Sequence, residues 1–217
     1  RIDTVHQGDY NQRKGVYHIN IVDAITQWEI VASVERISES CLAPLLEDLL
    51  FQFPFEVVSF HTDNGSEYVN RMVADLLNRL LIRFTRSRPR RPNDNGLVES
   101  KNLGYSHIPR SCADLLNVYH REHLNPYVNF HRPCFFPVDV IDHKGKVKKS
   151  YPYEKIQTPY EKLKSLPEAK SYLQPGVTLE KLDDIANQMS DNTFAERMVK
   201  ARSNLFQHIS RFVNRGY

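Results

Sequence analysis

Three acidic residues have the types and spacing that best predict chemistry in this 217-residue chain: Asp3, Asp63 and Glu99. Asp3 lies in a predicted strand, Asp63 directly follows another, and Glu99 lies early in a predicted helix, with 35 residues between it and Asp63. Mg²⁺ prefers such hard oxygen ligands and keeps several waters, so a few carboxylates suffice. Two ions roughly 3.5–4 Å apart can activate an oxygen nucleophile and stabilise a leaving oxygen on phosphorus. We therefore predict that all three acids are catalytic metal ligands in a centre that cuts phosphodiester bonds.

A single acidic residue has simpler explanations, because the chain contains 26 Asp and Glu residues. Most of them are expected to be helix caps, turn residues or solvated surface charges. Asp63-Asn64-Gly65 by itself is a good turn sequence. The combination of three acids with a particular order of strands and helices is what favours a metal centre.

Apolar periodicity predicts the elements that must position these acids. Strands are expected over 1–6, 16–22, 28–34, 57–61 and 81–85. Helices are expected over 42–53, from a cap at Ser66 to Leu80, and from about Asp94 onward. The first three strands form an antiparallel meander in this interpretation. The order predicts an α/β fold with a mixed five-stranded sheet and helices on both faces.

After the third predicted helix, the sequence no longer predicts alternating strands and helices. A helix is expected over 113–124, with Pro126 interrupting or restarting it before His131. Segments 138–141 and 146–151 predict a hairpin, and the chain beyond Pro152 is predicted to be helical. We divide the chain into a core over 1–133, a hairpin insertion with the end of the core motif over 134–165, and a helical C-terminal extension over 166–217.

Basic residues are bunched around Glu99, although the net charge is only +3. Local clustering of this kind predicts a polyanionic partner more strongly than the total charge does. We expect DNA contacts from the residues Arg86, Arg88, Arg90, Arg91 and Lys101. A solvated charge run is the alternative for the arginines, and an exposed helix lysine is an equally good one for Lys101. The hairpin lysines Lys144, Lys146, Lys148 and Lys149 could form a second DNA surface or a solvated hairpin.

Other features narrow the class of protein. Three widely spaced cysteines without a Cys-x-x-Cys pair predict neither a disulfide framework nor a zinc site. Without a signal peptide or an apolar run of the roughly 20 residues that a membrane span needs, we expect an intracellular protein. Because Asp3 follows Arg1 almost at once and no Met precedes it, we also expect an excised fragment whose preceding domain is absent.

The segments that carry the acids resemble the catalytic core of the DDE transposases and retroviral-type integrases, particularly bacterial insertion-sequence transposases with an integrase core. The resemblance rests on Ile2-Asp3-Thr4, on Thr62-Asp63-Asn64-Gly65-Ser66-Glu67-Tyr68, on residues 93–102 and on the 35-residue interval. Asn129-Phe130-His131-Arg132-Pro133 and Thr158-Pro159-Tyr160-Glu161 are similar to two halves of that family's C-terminal core motif, separated here by the hairpin. In total the resemblance covers about residues 1–165.

This resemblance implies an RNase H-like fold and two Mg²⁺ or Mn²⁺ ions per active site when DNA is bound. It implies nicking at transposon ends and transfer of the resulting 3′-hydroxyl into target DNA by a homo-oligomer that pairs two DNA ends. A preceding N-terminal DNA-binding domain is also implied, as is a place in the bacterial cytoplasm, on the nucleoid when DNA is bound. One departure is that Leu103-Gly104-Tyr105 follows Asn102 directly, where the family's helix continues for about two more turns with further basic residues.

Two other functions stay open at this point. The chain could be an RNase H-like nuclease that cuts without joining, or a non-catalytic DNA-binding or assembly module of the same fold. The C-terminal extension could cover the core or pack against another subunit.

Overall fold

A computed structural model of the protein describes residues 1–63, 68–87 and 107–214. The strand that carries Asp3 and the strand that precedes Asp63 both lie in the first of these ranges. The strands of the first two ranges are β1 (Ile2–His6), β2 (Asp9–Tyr10), β3 (Arg13–Lys14), β4 (Tyr17–Val22), β5 (Glu29–Val34), β6 (Ser59–Thr62) and β7 (Arg83–Arg86). Helix α1 (Glu39–Phe51) lies between β5 and β6, and α2 (Arg71–Arg79) lies between β6 and β7. The predicted alternation of strands and helices is therefore confirmed as far as β7, with β2 and β3 as a small added hairpin. The helix predicted from about Asp94 begins outside the described residues.

The five predicted strands pair as two ladders. Strands β1, β4 and β5 form the expected antiparallel meander, with Asp3 opposite Asn20. Strands β6 and β7 form a parallel pair, with Thr62 opposite Arg86. Strand β1 lies beside β6, with Cα atoms within 8 Å of each other. Among the described residues these strands are neighbours without one continuous hydrogen-bonded ladder, so the fold is mixed α/β with a three-stranded and a two-stranded sheet where one sheet of five was expected.

The two faces of the three-stranded sheet differ because successive side chains of a strand point to opposite sides. Ile2, Ile19 and Ile30 lie on one face and are buried in the main core with Leu46 and Leu77 of the two helices. Helix α1 presents Leu42, Leu46, Leu49 and Leu50 to this core, the spacing of an apolar helical stripe. Burying each such aliphatic side chain contributes about 1.5–3 kcal/mol.

Helix α2 begins later than its sequence predicted. Ser66, the expected cap, lies outside the described residues, and the helix starts at Arg71 because Asn70 caps it. The Asn70 side chain accepts a hydrogen bond from the Val73 backbone N–H at 2.9 Å. Tyr68, predicted to lie in this helix, precedes it and is buried.

A continuous helical segment over 110–131 covers the second face of the sheet. It consists of a 3₁₀ turn (Arg110–Cys112), α3 (Ala113–Tyr119) and two π-helical stretches (His120–Leu124 and Tyr127–His131). The sequence predicted an interruption or restart at Pro126, but the helix runs through it. Proline has no backbone N–H, and wider turns on both sides accommodate it, with Asn125 N–H bonding to the His120 carbonyl and Arg132 N–H to the Tyr127 carbonyl.

Three asparagines of this segment hydrogen-bond to the edge strand β5. Each side-chain oxygen accepts from one β5 N–H and each side-chain NH₂ donates to the same residue's carbonyl, at 2.7–3.2 Å. The pairs are Asn117 with Ser33, Asn125 with Val31, and Asn129 with Glu29. Because an edge strand otherwise exposes unpaired backbone groups, these bonds fix the helical segment to the sheet and close its edge.

The last part of the described chain adds a hairpin and three helices. Its elements are β8 (Cys134–Phe135), β9 (Val138–Ile141), β10 (Val147–Ser150), β11 (Ile156–Gln157), α4 (Pro159–Lys164), α5 (Leu179–Ala186) and α6 (Asp191–Asn214). Leu205 and Ile209 of α6 pack with Ile108 and Leu116, which shows that the C-terminal extension covers the core of its own chain. No helix in the described ranges has the length and apolarity to cross a bilayer.

Candidate active site

Asp3 is held by the sheet. It is the second residue of β1, half-buried, and lies on the face opposite to the isoleucine core. Its cross-strand partner Asn20 lies on the same face and is buried. Because β1 pairs along its whole length with β4, the Asp3 backbone is fixed before any ligand binds.

Asp63 follows the last residue of β6 and is also half-buried. The Thr62 hydroxyl donates to the Asp63 Oδ1 at 3.3 Å. In the parallel pair, Thr62 lies opposite Arg86, the last residue of β7, so Asp63 and Arg86 leave the sheet at the same end. Arg86 is exposed. One of the predicted DNA-contacting arginines is thus located at the strand end that carries a predicted metal ligand.

A hydroxyl pair links the two acidic segments. Thr4, the neighbour of Asp3, forms a hydrogen bond with the Tyr68 hydroxyl. Tyr68 is almost completely buried and lies with its ring 6.2 Å from that of Phe60 in β6. This contact holds β1 to the chain that continues from Asp63, in agreement with the neighbouring positions of β1 and β6. Strand β1, which carries Asp3, therefore lies beside β6, which precedes Asp63.

The donor chemistry of this region suits a divalent cation. Carboxylates are hard oxygen donors; Asp3 lies on β1, and Asp63 directly follows the neighbouring strand β6. Glu99 lies outside the described residues, as do Arg88, Arg90, Arg91 and Lys101. Within the described ranges, no group of three or more His, Cys, Asp or Glu side chains is arranged to hold a metal ion. Of the three predicted ligands, Asp3 and Asp63 thus lie within the described residues and Glu99 does not.

Histidines near the acids make structural contacts. His61 lies between two hydroxyls, with Nδ1 3.0 Å from Thr85 Oγ1 and Nε2 3.3 Å from Ser87 Oγ. These contacts bridge β6 to β7 and the residue that follows it. His6 stacks on Tyr17 with ring centroids 4.2 Å apart.

A buried polar network lies on the Asp3 face of the sheet and was missed by sequence reasoning. Glu29 is fully buried; its carboxylate accepts from Arg132 Nη2 at 2.5 Å and from Asn20 Nδ2 at 3.1 Å. A buried charge is costly unless it is paired and hydrogen-bonded, and Glu29 has both kinds of partner. The network joins Asn20, the cross-strand partner of Asp3, to Arg132 of the C-terminal motif. The one sequence signal was that Arg132 belongs to that motif.

The two halves of the C-terminal motif meet in space. The Phe130 ring lies 5.3 Å from that of Tyr160 and 5.2 Å from that of Trp28. His131 Nδ1 lies 2.9 Å from the Asp191 carboxylate at the start of α6. In the second half, Thr158 and Glu161 form a reciprocal capping box at the start of α4. The side-chain contacts of the two motif halves therefore connect the sheet, the helical segment over 110–131 and the C-terminal helices.

A buried histidine pair lies farther along the same face. His18 Nδ1 is 2.9 Å from Ser33 Oγ, and the His18 and His120 rings lie edge to face, 6.2 Å apart. Burial lowers the pKa of His18 to about 4. Burial, with a smaller contribution from His18, lowers the pKa of His120 to about 3. Both imidazoles are therefore neutral at physiological pH.

Comparison with known proteins finds a family match over the first part of the chain. Residues 1–92 match the model of the integrase core domain family, a stretch that contains Asp3, Asp63 and Arg86 and ends before Glu99. The first part of this chain is thus similar to the integrase core domain family, in agreement with the sequence resemblance. No curated protein sequence matches the chain.

Parts of two solved structures are similar to part of this chain. One is the simian T-cell lymphotropic virus intasome in complex with the PP2A regulatory subunit B56 gamma, at 24% identity and a TM-score of 0.42, covering 46% of this chain and 35% of that chain. The other is the catalytic core domain of BIV integrase, at 20% identity and a TM-score of 0.37, covering 46% of this chain and 60% of that chain. This chain spans less than two thirds of the length of either structure.

Proposed function

We propose that this protein is a transposase or integrase that uses divalent metal to cleave DNA ends and transfer the new 3′-hydroxyl to target DNA. The observation that supports this most directly is that Asp3 lies in β1 and Asp63 directly follows the neighbouring strand β6, both inside the stretch that matches the integrase core domain. Arg86 at the same strand end as Asp63 adds a positive charge suited to a phosphate.

The proposed metal site uses Asp3, Asp63 and Glu99 as ligands. A pair of bound Mg²⁺ or Mn²⁺ ions would supply charge neutralisation and an activated oxygen nucleophile. The role of the chain's own residues is to hold the carboxylates in a fixed arrangement. Pairing of β1 with β4 fixes Asp3, and the Thr62 hydroxyl and the Thr4–Tyr68 contact restrain the segment around Asp63.

The proposed DNA path follows the end of β7 and the chain beyond it. It uses Arg86, Arg88, Arg90, Arg91 and Lys101. Arginine suits this role because its planar guanidinium binds phosphate oxygens in a bidentate manner. We further propose that the catalytic core, over 1–133, has an RNase H-like arrangement. It is followed by the hairpin insertion with the end of the core motif, over 134–165, and by the extension over 166–217. The working unit is proposed to be a homo-oligomer on two DNA ends.

Substitution of the three acids tests the metal site. Asp3→Asn, Asp63→Asn and Glu99→Gln should each reduce Mn²⁺-dependent nicking and joining of DNA ends to the background level, and should also weaken Mn²⁺ binding measured by titration calorimetry. Asp75→Asn is the matched control, because Asp75 is an exposed α2 residue near Arg71. Wild-type activity in all three acid variants would overturn the proposal.

Product analysis separates strand transfer from simple cutting. A labelled donor end incubated with target duplex should yield joined products whose length exceeds that of the donor. If only shortened products form under every metal condition, the protein is a nuclease of the same fold. Mn²⁺ binding without any cut product would identify a non-catalytic module instead.

A further inference from the structure

The insertion between the two motif halves is a hairpin with a closed base. Strands β8 and β11 pair at that base, with Phe135 opposite Ile156 and Cys134 opposite Gln157. Strands β9 and β10 project from it, with Val147 opposite Ile141 and Ser150 opposite Val138. All residues of β10, and those of β9 from Asp139 onward, are exposed. Both faces of the ribbon are therefore accessible to solvent and to a partner.

The turn of this hairpin is fixed by its own hydrogen bonds. The Asp142 carboxylate accepts from the backbone N–H groups of Lys144 at 2.8 Å and Lys146 at 3.0 Å. Gly145 has a φ of +74°, a left-handed conformation that a residue with a side chain adopts only with strain. Since an isolated two-stranded hairpin is marginally stable, these bonds matter for holding the tip in one shape.

The fixed tip concentrates positive charge. Residues 138–150 contain four lysines, Lys144, Lys146, Lys148 and Lys149, and two acids, Asp139 and Asp142. All four lysines are exposed. Lys148 forms an ion pair with Asp142 at 3.1 Å. Within the described part of the chain, Lys144, Lys146 and Lys149 make no ion pair, so three ammonium groups are available to an anionic partner.

The pattern of side chains on the ribbon favours DNA over a protein partner. Paired residues share a face, so Lys149 and its partner Asp139 lie beside Val147 and Ile141, and Lys148 lies beside Val140 on the other face. Each aliphatic patch is therefore interrupted by a lysine, a residue that protein interface cores exclude. A two-stranded ribbon also has the width that the major groove of duplex DNA, about 12 Å across, admits.

We propose that the β9–β10 hairpin is a second DNA-binding element, which contacts duplex phosphates through Lys144, Lys146 and Lys149. The inference rests on the proposed function, since it assigns the same DNA substrate a further contact. This element is separate from the proposed DNA path that follows the end of β7, because its positive charges lie on a two-stranded ribbon. Lys148 has a different role, in that its pair with Asp142 stabilises the turn.

Charge removal with a matched control tests the hairpin. The variant Lys144→Gln/Lys146→Gln/Lys149→Gln is compared with Lys170→Gln/Lys181→Gln/Lys200→Gln, which removes the same charge from exposed positions of the C-terminal extension. Binding of a random-sequence 30-base-pair duplex to the 217-residue chain is measured by fluorescence anisotropy in EDTA over a range of salt concentrations. The hairpin variant should lower the slope of log affinity against log salt by about one per lysine. Its affinity at 0.1 M salt should fall by about 10-fold or more.

The outcomes separate this inference from the proposed function. A wild-type chain that binds duplex DNA, with a hairpin variant that matches the control, overturns the hairpin assignment and leaves the proposed function intact. A wild-type chain that binds no DNA overturns both. Unchanged DNA binding, together with loss of self-association in sedimentation, would assign the ribbon to a second copy of the chain instead. Circular dichroism melting checks that both triple variants fold; equal melting temperatures are expected because the ribbon is exposed.

Discussion

Arg132 and Glu29 form an ion pair at 2.5 Å in which the carboxylate is fully buried and the guanidinium side chain is 29% exposed. The two residues are 103 positions apart in sequence, so the pair joins the C-terminal motif to the edge strand of the sheet. Asn20, the cross-strand partner of Asp3, hydrogen-bonds to the same carboxylate. The pair thus helps to hold the strands on which the candidate active site is built.

Removing one partner of this pair should be costly. Arg132→Ala leaves the Glu29 carboxylate buried without its cation, so the free energy of unfolding should fall by about 3–5 kcal/mol. Urea unfolding measures the change. Glu29→Gln in the same chain should recover part of the loss, because a neutral amide needs no counter-charge. A double variant whose loss equals the sum of the single losses would contradict this account.

An exposed ion pair of the same chemistry provides the control for that experiment. Arg121 Nη2 lies 3.1 Å from Asp48 Oδ2, with the two side chains 66% and 53% exposed. Water and salt screen such a pair, so Arg121→Ala should change the free energy of unfolding by no more than about 1 kcal/mol. An equal effect of the two arginine substitutions would show that burial of Glu29 is not the cause.

The asparagine contacts to β5 predict a local effect on the sheet edge. Asn125→Ala removes both hydrogen bonds to Val31 and leaves a buried backbone N–H and carbonyl without partners. The free energy of unfolding should fall by about 2–4 kcal/mol, since each unsatisfied buried group costs about 1–3 kcal/mol. Amide hydrogen exchange at Val31 should become faster than at Ile30, the neighbour that faces β4. The exposed Asn187→Ala, which loses one bond to the Asp183 carbonyl, serves as the comparison.

Local pattern predicted the strands around the candidate site well. Alternating apolar residues gave β4 and β5 to within one residue, and helical spacing gave the buried face of α1. These features depend on contacts close in sequence or on burial alone. The positions of Asp3 in a strand and of Asp63 just after one were predictable for the same reason.

Three features of the fold depend on more than the local sequence pattern: the burial of Glu29, the continuation of the helix through Pro126 and the start of α2. Glu29 alternates with apolar residues in β5 like a solvent-facing residue, yet the helical segment over 110–131 covers it. Proline normally ends a helix, but at Pro126 the flanking π-helical turns accommodate the ring, and the bonds of Asn125 and Asn129 to the sheet hold the segment in place. For α2, Asn70 replaced Ser66 as the cap, because two nearby residues of similar capping strength cannot be ranked from sequence.

The capping box of α4 predicts a smaller and more local change. Thr158 accepts from the Glu161 backbone N–H at 3.1 Å, and the Glu161 carboxylate accepts from the Thr158 N–H at 2.7 Å. Thr158→Ala should lower the free energy of unfolding by about 1 kcal/mol in urea denaturation, while Thr158→Ser, which retains the hydroxyl, should lower it much less. Equal losses for the two variants would mean that the methyl group, and not the cap, stabilises this site.

The buried histidines predict that stability falls in acid. Burial lowers the pKa of His18 to about 4 and that of His120 to about 3, whereas both titrate near 6.5 in the unfolded chain. The unfolded state therefore binds more protons below pH 6.5, so this contribution is fully present above that pH and is lost as the pH falls toward 4 and 3. For His18 the loss should reach about 3 kcal/mol, measured by urea unfolding at a series of pH values.

His120→Gln should flatten the dependence of the free energy of unfolding on pH between pH 6.5 and 4, while His143→Gln, at an exposed hairpin position, should leave it unchanged. An unaltered pH profile in the His120 variant would assign the acid sensitivity to other groups.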